Sequence, residues 1–369
     1  MEFTVAKSEL VRELSLSQGV VEKKTTIPIL SNILLETDGD RLVMTATDLE
    51  LGIRCSCPAK VGKPGAGTIP ARRLLDYVRL LPDADIQVKF GDNQWANLLC
   101  GRSRTRIAGM SRESFPELPA MPEPLAEIPA GLLSSMIGKT IFAISAEESR
   151  FTLNGALLIV QPTGLTMVAT DGHRLALVEA AADLGGSDTT YRALLPRKAM
   201  QEILKLTAES GADAKIRFSG DDNHLFFQLG ERLLLSRKLT GNFPDYDRVL
   251  PKDHPNRVLL HREEFRSAIE RVAQFSDERS RAIRLQVLPG ELKVHSSLSE
   301  TGESEETIPA EYAGETLEIG FNAQYLLDFL RASPDEVAFH FRDPHSAGEM
   351  RPSAQDSGSY RYVIMPMRI

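Results

Sequence analysis

LTMVATDGHRLALV, residues Leu165 to Val178, is an apolar strand that runs into a Thr-Asp-Gly corner and a second apolar strand that leaves it. The pattern also stands earlier, as LVMTATDLELGI from Leu42 to Ile53. Asp48 and Asp171 lie 123 positions apart, one third of the 369-residue chain. A third copy is therefore expected near residue 294, where Leu292 to Glu300 reads LKVHSSLSE, a strand without the Thr-Asp signature. The spacing predicts three copies of one unit.

Composition narrows the function classes. An apolar content of 42% with 25% charged residues is that of a globular protein, and no apolar run approaches the roughly 20 residues of a membrane span. Met1 to Val5 alternates like a strand, so no signal peptide is expected. Three cysteines, Cys55, Cys57 and Cys100, fit a reducing compartment better than a disulfide framework. A net charge of −8 excludes a wholly basic surface, so any nucleic-acid contact must be local.

Outward from the corner, each unit reads as two halves of strand, helix and further strands. Apolar residues at helical spacing predict helices over Lys7–Val20, Ala71–Leu81, Ala130–Ile144, Arg197–Ala208, Arg262–Phe275 and Ala323–Ala332. Alternation predicts strands between them, among them Thr26–Thr37, Arg41–Asp48, Phe151–Val160 and a last strand Tyr360–Ile369. Pro70-Ala71-Arg72 and Pro196-Arg197-Lys198 hold matching places, 126 apart. Proline clusters at Phe115–Pro124 and Phe243–Pro255 mark linkers. If the halves pair, their strands form continuous sheet with all six helices on one side.

Over Lys7–Val20, Ala71–Leu81, Ala130–Ile144, Arg197–Ser210, Arg262–Phe275 and Asn322–Ser333 the chain carries 13 Lys and Arg against 9 Asp and Glu, and the rest of it is net −12. One solvated helix with a basic bias means little. Six equivalent ones predict a surface for a polyanion, with loose phosphate contact and no base reading. Arg72, Arg197 and Arg266 stand at or near the heads of helices whose other face is apolar, so they are the expected phosphate contacts.

The motifs TDGHRLA at Thr170, SRFTLNG at Ser149, NFPDYDRVLP at Asn242, GRSR at Gly101, TIPILSNILL at Thr26, ATDLEL at Ala46 and the terminal YVIMPMRI run in order from end to end. In them the chain resembles the bacterial DNA polymerase III β subunit family, the replicative sliding clamps. The resemblance implies an α+β fold of three clamp domains, over residues 1–122, 125–245 and 250–369, each of two half-units, with helices inside a ring and sheets outside. It implies a head-to-tail homodimer in the cytoplasm that encircles double-stranded DNA without sequence specificity. The implied partners are the polymerase catalytic subunit, the clamp loader, and other polymerases and repair proteins carrying clamp-binding peptides. Helix geometry fits two chains. Six helices about 9 Å apart enclose a circle only about 17 Å across, whereas twelve give about 34 Å and leave room for a duplex.

Residue by residue, the resemblance places a partner-peptide cleft at Thr170, Gly172, His173, Arg174, Leu175, Pro244, Arg248, Val249, Val363, Met365, Pro366, Met367 and Arg368. Leu175, Val249, Val363 and Met365 are expected as walls, with His173 and Arg174 as the polar rim. DNA contacts fall on Lys24, Arg72 and Arg150. Phe151 stands where the family can carry tandem tyrosines, and the acidic Ala146-Glu147-Glu148 before it leaves the DNA role of this loop open. Thr105 and Ile107 against Gln274 and Phe275 are the interface candidates.

The competing reading is an enzyme with Asp171 and His173 as a dyad, since residues i and i+2 of a strand share a face. Against it, the sister corner Thr47-Asp48-Leu49 has no histidine. The chain also lacks a P-loop, a G-x-S-x-G elbow and metal-spaced Cys/His clusters. No catalytic residue, cofactor or metal is expected, and no membrane partner.

Overall fold

The computed structural model describes residues 1–21, 25–185, 190–298, 302–354 and 358–368. Among them six α-helices each follow directly on a short strand: α1 (Lys7–Ser17), α2 (Ala71–Leu80), α3 (Ala130–Thr140), α4 (Arg197–Thr207), α5 (Arg262–Val272) and α6 (Ala323–Arg331). Their apolar stripes face inward. α5 buries Phe265, Ala268, Ile269 and Val272, and each large side chain so buried contributes roughly 1.5–3 kcal/mol. In α1 the inward face is Leu10, Glu13, Leu14 and Ser17, while Ala6 and Val11, expected inside, are half-buried.

Several predicted ends are shorter in the structure. The expected continuations of α3 and α5 tighten into 3-10 turns at Ile141–Ala143 and Ala273–Phe275. α1 stops at Ser17, whose hydroxyl donates back to the Leu14 carbonyl just before Gly19. Thr26–Ser31 is not strand: Pro28 has no N–H to give a ladder, so Pro28–Ser31 coils as 3-10 and the strand starts at Asn32. Phe151–Leu153 is likewise a 3-10 turn, and the last strand, Gly358–Ile364, ends two residues before Pro366.

Two of the four sheets run across the boundary between repeats. One eight-stranded antiparallel sheet runs in the order Ala126–Pro129, Lys215–Gly220, His224–Leu229, Arg232–Arg237, Leu51–Pro58, Arg41–Thr47, Asn32–Asp38, Ala66–Pro70. The other runs Tyr191–Pro196, Gly155–Gln161, Gly164–Thr170, Arg174–Ala181, Gly358–Ile364, Gly348–Pro352, Glu336–Phe341, Asn256–His261. Each takes four strands from the middle repeat and four from a neighbour. The seams are Leu235 opposite Gly52 and Leu175 opposite Val363. A five-stranded sheet ends in Ser103–Ala108, and a four-stranded sheet begins with Gly302–Pro309.

Packing therefore makes two compact units, each joining halves of neighbouring repeats. One holds Met1–Ser134, Gly185–Ser187 and Lys198–Lys238; the other holds Ser135–Leu184, Asp188–Arg197 and Leu239–Ile369. The third copy is present but displaced. Equivalent strands start at Arg41, Gly164 and Glu291, spacings of 123 and 127, so the strand covers residue 294, and residues 299–301 that follow it lie outside the described residues.

The first unit is stapled by a buried carboxylate. Glu13 of α1, 2% exposed in its side chain, accepts from Arg232 of the middle repeat at 2.6 and 2.9 Å and from Arg12 at 2.9 Å. Burial alone would raise its pKa; Arg232 and Arg12 outweigh that and hold it below the usual 4.5. A depressed carboxyl adds stability above its unfolded value and loses it as the pH falls lower. Glu13→Gln should cost about 3 kcal/mol at pH 7, because Arg232 is left unpaired. Thermal melting between pH 7 and pH 3 should show the wild type losing its advantage over the variant on acidification.

Candidate partner-peptide cleft and polyanion face

The two Thr-Asp corners are built alike. In the second, the Thr170 hydroxyl donates to the Arg174 carbonyl and accepts from Gly172 N–H, while Asp171 Oδ1 accepts from His173 and Arg174 N–H. In the first, Thr47 and Asp48 make the same four bonds to Leu51, Leu49 and Glu50. Both need a left-handed third residue, Gly172 at φ +90° and Leu49 at φ +79°. The repeat seen in the sequence is thus a repeat of hydrogen bonds.

Around the second corner the structure gathers most of the predicted cleft. Arg174–Ala181 pairs with Gly358–Ile364, and Met365 N–H donates to the His173 carbonyl at 2.9 Å, so chain positions 190 residues apart are adjacent. Leu175 and Val363 are buried and form floor rather than wall, clustered with Leu157, Ile159, Val168, Leu177 and Leu194. The linker lays Phe243, Tyr246 and Leu250 over that cluster. Val249 and Met365 stay 45% exposed, with His173, Pro244, Arg248 and Arg368 exposed beside them on the sequence. Thr170 is buried in the corner, and Gly172 is exposed. Pro366 and Met367 are half-buried, Met367 N–H donating to Gly320. Exposed valine and methionine over an apolar floor make a surface that adapts to short apolar segments. The sequence reading missed Phe243, Tyr246 and Leu250. Phe115-Pro116-Glu117 and Phe243-Pro244-Asp245 repeat one motif, and that was the available signal.

Arg174 is not rim. Its side chain is 9% exposed and bonds Asp171 at 3.0 Å, Asp328 at 2.7 Å and the Phe142 carbonyl at 2.6 Å, with its guanidinium 4.2 Å above the Tyr325 ring. Burial opposes its charge, but Tyr362 and the two carboxylates hold it protonated. Asp171 is spent on this arginine and on backbone amides, and His173 lies in a turn rather than a strand, so no Asp-His dyad forms. Cys55 and Cys57 are buried and their thiols pushed up, Cys57 to about 12, chiefly by burial. Both thiols are therefore protonated at neutral pH.

The helix cations divide into two sets. Arg266 is held by Glu263 at 2.8 Å and Glu270 at 2.7 Å, and Arg72 faces Asp76 at 3.7 Å. Arg12, Lys198, Lys205, Arg262, Arg271 and Arg331 also meet carboxylates. Among the described residues Lys7, Arg73, Arg79, Lys139 and Arg197 meet none, and of these the sequence reading named only Arg197. Arg150 pairs with Glu147 at 2.8 Å and donates to the Asp171 carbonyl at 2.8 Å, which ties it to the cleft corner. Phe151 beside it is 71% exposed. Lys24 lies outside the described residues.

Two outer strands carry opposite charge. Ser103–Ala108 turns Arg104 and Arg106 outward, and Gly302–Pro309 turns Glu303 and Glu305 outward. Phe275, 37% exposed, sits against Gly302, and Gln274 is exposed. Thr105 is half-buried on its edge strand. Ile107 points into the core of its own unit at 4% exposure.

Comparison with known proteins agrees along the whole chain. Family models of the DNA polymerase III β subunit match residues 1–119 (N-terminal domain), 127–245 (central domain) and 247–368 (C-terminal domain). The β sliding clamp of Caulobacter vibrioides is 38% identical, with all of both chains covered. That of Chlamydia pneumoniae is 36% identical over the whole chain and 99% of the relative. Among solved structures, the Pseudomonas aeruginosa sliding clamp bound to griselimycin superposes with a TM-score of 0.94 at 36% identity, covering all of both chains. The Bacillus subtilis clamp gives 0.93 at 27% identity over all of this chain and 99% of that one. With its fold matched end to end and all three family domains in order, the chain belongs to the bacterial DNA polymerase III β subunit family, the non-catalytic sliding clamps of DNA replication.

Proposed function

We propose that two copies of this chain join head to tail, Ser103–Ala108 of one extending the sheet of the other at Gly302–Pro309, and that the ring so closed carries its partners on the cleft. The observation that carries this reading is the pair of outer strands with complementary charge, Arg104 and Arg106 against Glu303 and Glu305. Such an interface joins different surfaces, and it closes when the rotation does. Each protomer then reads as three domains, residues 1–122, 125–245 and 250–369. Thr105, Gln274 and Phe275 flank the joint. Double-stranded DNA passes through without sequence reading, touched first by Arg73 and Arg197, which no carboxylate neutralises. Arg72, Arg150 and Arg266 contribute only where phosphate displaces their carboxylates. The cleft of His173, Pro244, Val249 and Met365 over Leu175 and Val363 takes short apolar peptides from the polymerase catalytic subunit, the clamp loader and other replication and repair proteins in the cytoplasm.

Retention on nicked circular DNA, lost when the same DNA is linearised, tests the ring directly. The double variant Arg104→Glu, Arg106→Glu should turn a dimer into a monomer in sedimentation at micromolar concentration, since like charges then face each other. A dimer unchanged by that variant would place the joint elsewhere.

For the DNA face, Arg73→Gln and Arg197→Gln, each present twice in the ring, should each lower the slope of log affinity against log salt by about 2, with no change in sequence preference. Arg266→Gln should leave the slope unaltered. A chain truncated before Met365 should stay dimeric yet lose binding of a fluorescein-labelled clamp-binding peptide from the polymerase catalytic subunit, because a small apolar anchor carries most of such an energy.

A further inference from the structure

The corner that floors the cleft is held from behind by a helix that does not line it. α6 presents Asp328, 16% exposed in its side chain, whose Oδ2 accepts from Arg174 at 2.7 Å. Its Oδ1 accepts from Gln324 of the same helix at 2.7 Å and faces the exposed Arg331 at 3.4 Å. Tyr325, one turn earlier, lies 4.2 Å under the same guanidinium, and its carbonyl accepts from the Tyr362 hydroxyl at 2.9 Å. Arg174 passes this placement on. Its Nε bonds Asp171, which fixes His173 and Arg174 N–H, and the His173 carbonyl receives Met365 N–H. A planar guanidinium with three bonded edges and a ring beneath it has one orientation, and a lysine could not reproduce it.

We propose that Asp328 is a positioning residue of the partner cleft: through Arg174 it fixes the corner on which Met365 is hung, and so sets the cleft's affinity for peptide without touching the peptide. The proposal rests on the cleft reading above. Asp328 is a better lever than Asp171, since Asp171 also caps the turn's amides and its loss would unmake the corner itself. Asp328 makes no backbone bond to the corner, so its removal leaves the hydrogen-bonded turn intact and frees only the guanidinium.

The experiment measures anisotropy of the same fluorescein-labelled polymerase peptide on the full-length protein, with melting temperature and the Arg174 Nε–H resonance as companions. Asp328→Asn should weaken peptide binding about tenfold and broaden the Arg174 resonance, while the melting temperature falls little. Asp328→Glu should restore most of the affinity. Should Asp328→Asn fail to fold, Tyr325→Leu removes the stacking alone and should weaken binding several-fold. Unchanged affinity in a folded Asp328→Asn or Tyr325→Leu overturns the proposal, as does a loss that tracks melting and is not restored by Asp328→Glu. A wild type that binds no peptide overturns the cleft reading itself, and the positioning role with it.

Discussion

A strand at the edge of a sheet leaves a row of backbone N–H and C=O groups that must find partners, and this chain is arranged around where those rows end. The middle repeat pairs two of its strands across repeat boundaries inside the chain. It gives Arg232–Arg237 to Leu51–Pro58 of the first repeat and Arg174–Ala181 to Gly358–Ile364 of the third. The first and third repeats each keep a smaller sheet of their own, with Ser103–Ala108 at an edge of one and Gly302–Pro309 at an edge of the other. In the joint proposed above, the opposite charges on the outward faces of these two strands make the pairing directed. Each edge repels a copy of itself and attracts the other.

The local parts of this design are legible in the sequence. Six amphipathic helices and the Thr-Asp corners follow from a 3.6-residue period, a two-residue period and turn chemistry, all of which act over a few residues. Helix ends were read too long wherever a 3-10 turn takes over, as at Ala273–Phe275, because apolar spacing persists through such a turn. What no local pattern holds is the choice of partner across a seam. Leu235 meets Gly52 and Arg174 meets Asp328, at separations of 183 and 154 residues. So Arg174, charged and next to an exposed histidine, read as rim, although a carboxylate far along the chain draws it inside. Arg266 is the local counterpart, since its two glutamate partners stand three and four residues away and are legible in the sequence.

One backbone device serves two ends. At the second corner the turn residue is Gly172 and the floor residue is Leu175. At the first, the turn residue is Leu49, held at positive φ, and the residue opposite Leu235 is Gly52. The room that Gly52 leaves is filled by Leu118 of the chain's own linker, whose methyls lie 3.1 Å from where a Cβ would stand. Phe115 of that linker closes over Ile29, Leu30 and Leu34 as Phe243 closes over its own cluster. The first seam is thereby plugged from within, while the second keeps Val249 and Met365 open to solvent. The two repeats thus carry equivalent grooves, and the glycine in place of leucine, with Leu118 over it, fills the first while the second stays open.

The charge pattern bears on how such a ring could hold DNA and still move. Each phosphate contact releases a counterion and adds to a salt-dependent affinity. A surface in which every helix cation was free would grip strongly at each step. Here eight of the thirteen helix cations are met by carboxylates, most of them on the same helix within one turn. In the proposed ring a phosphate approaching Arg266 would compete with Glu263 and Glu270, which are already in place, so the gain on contact there would be small. In the proposed ring, encirclement rather than affinity then supplies persistence.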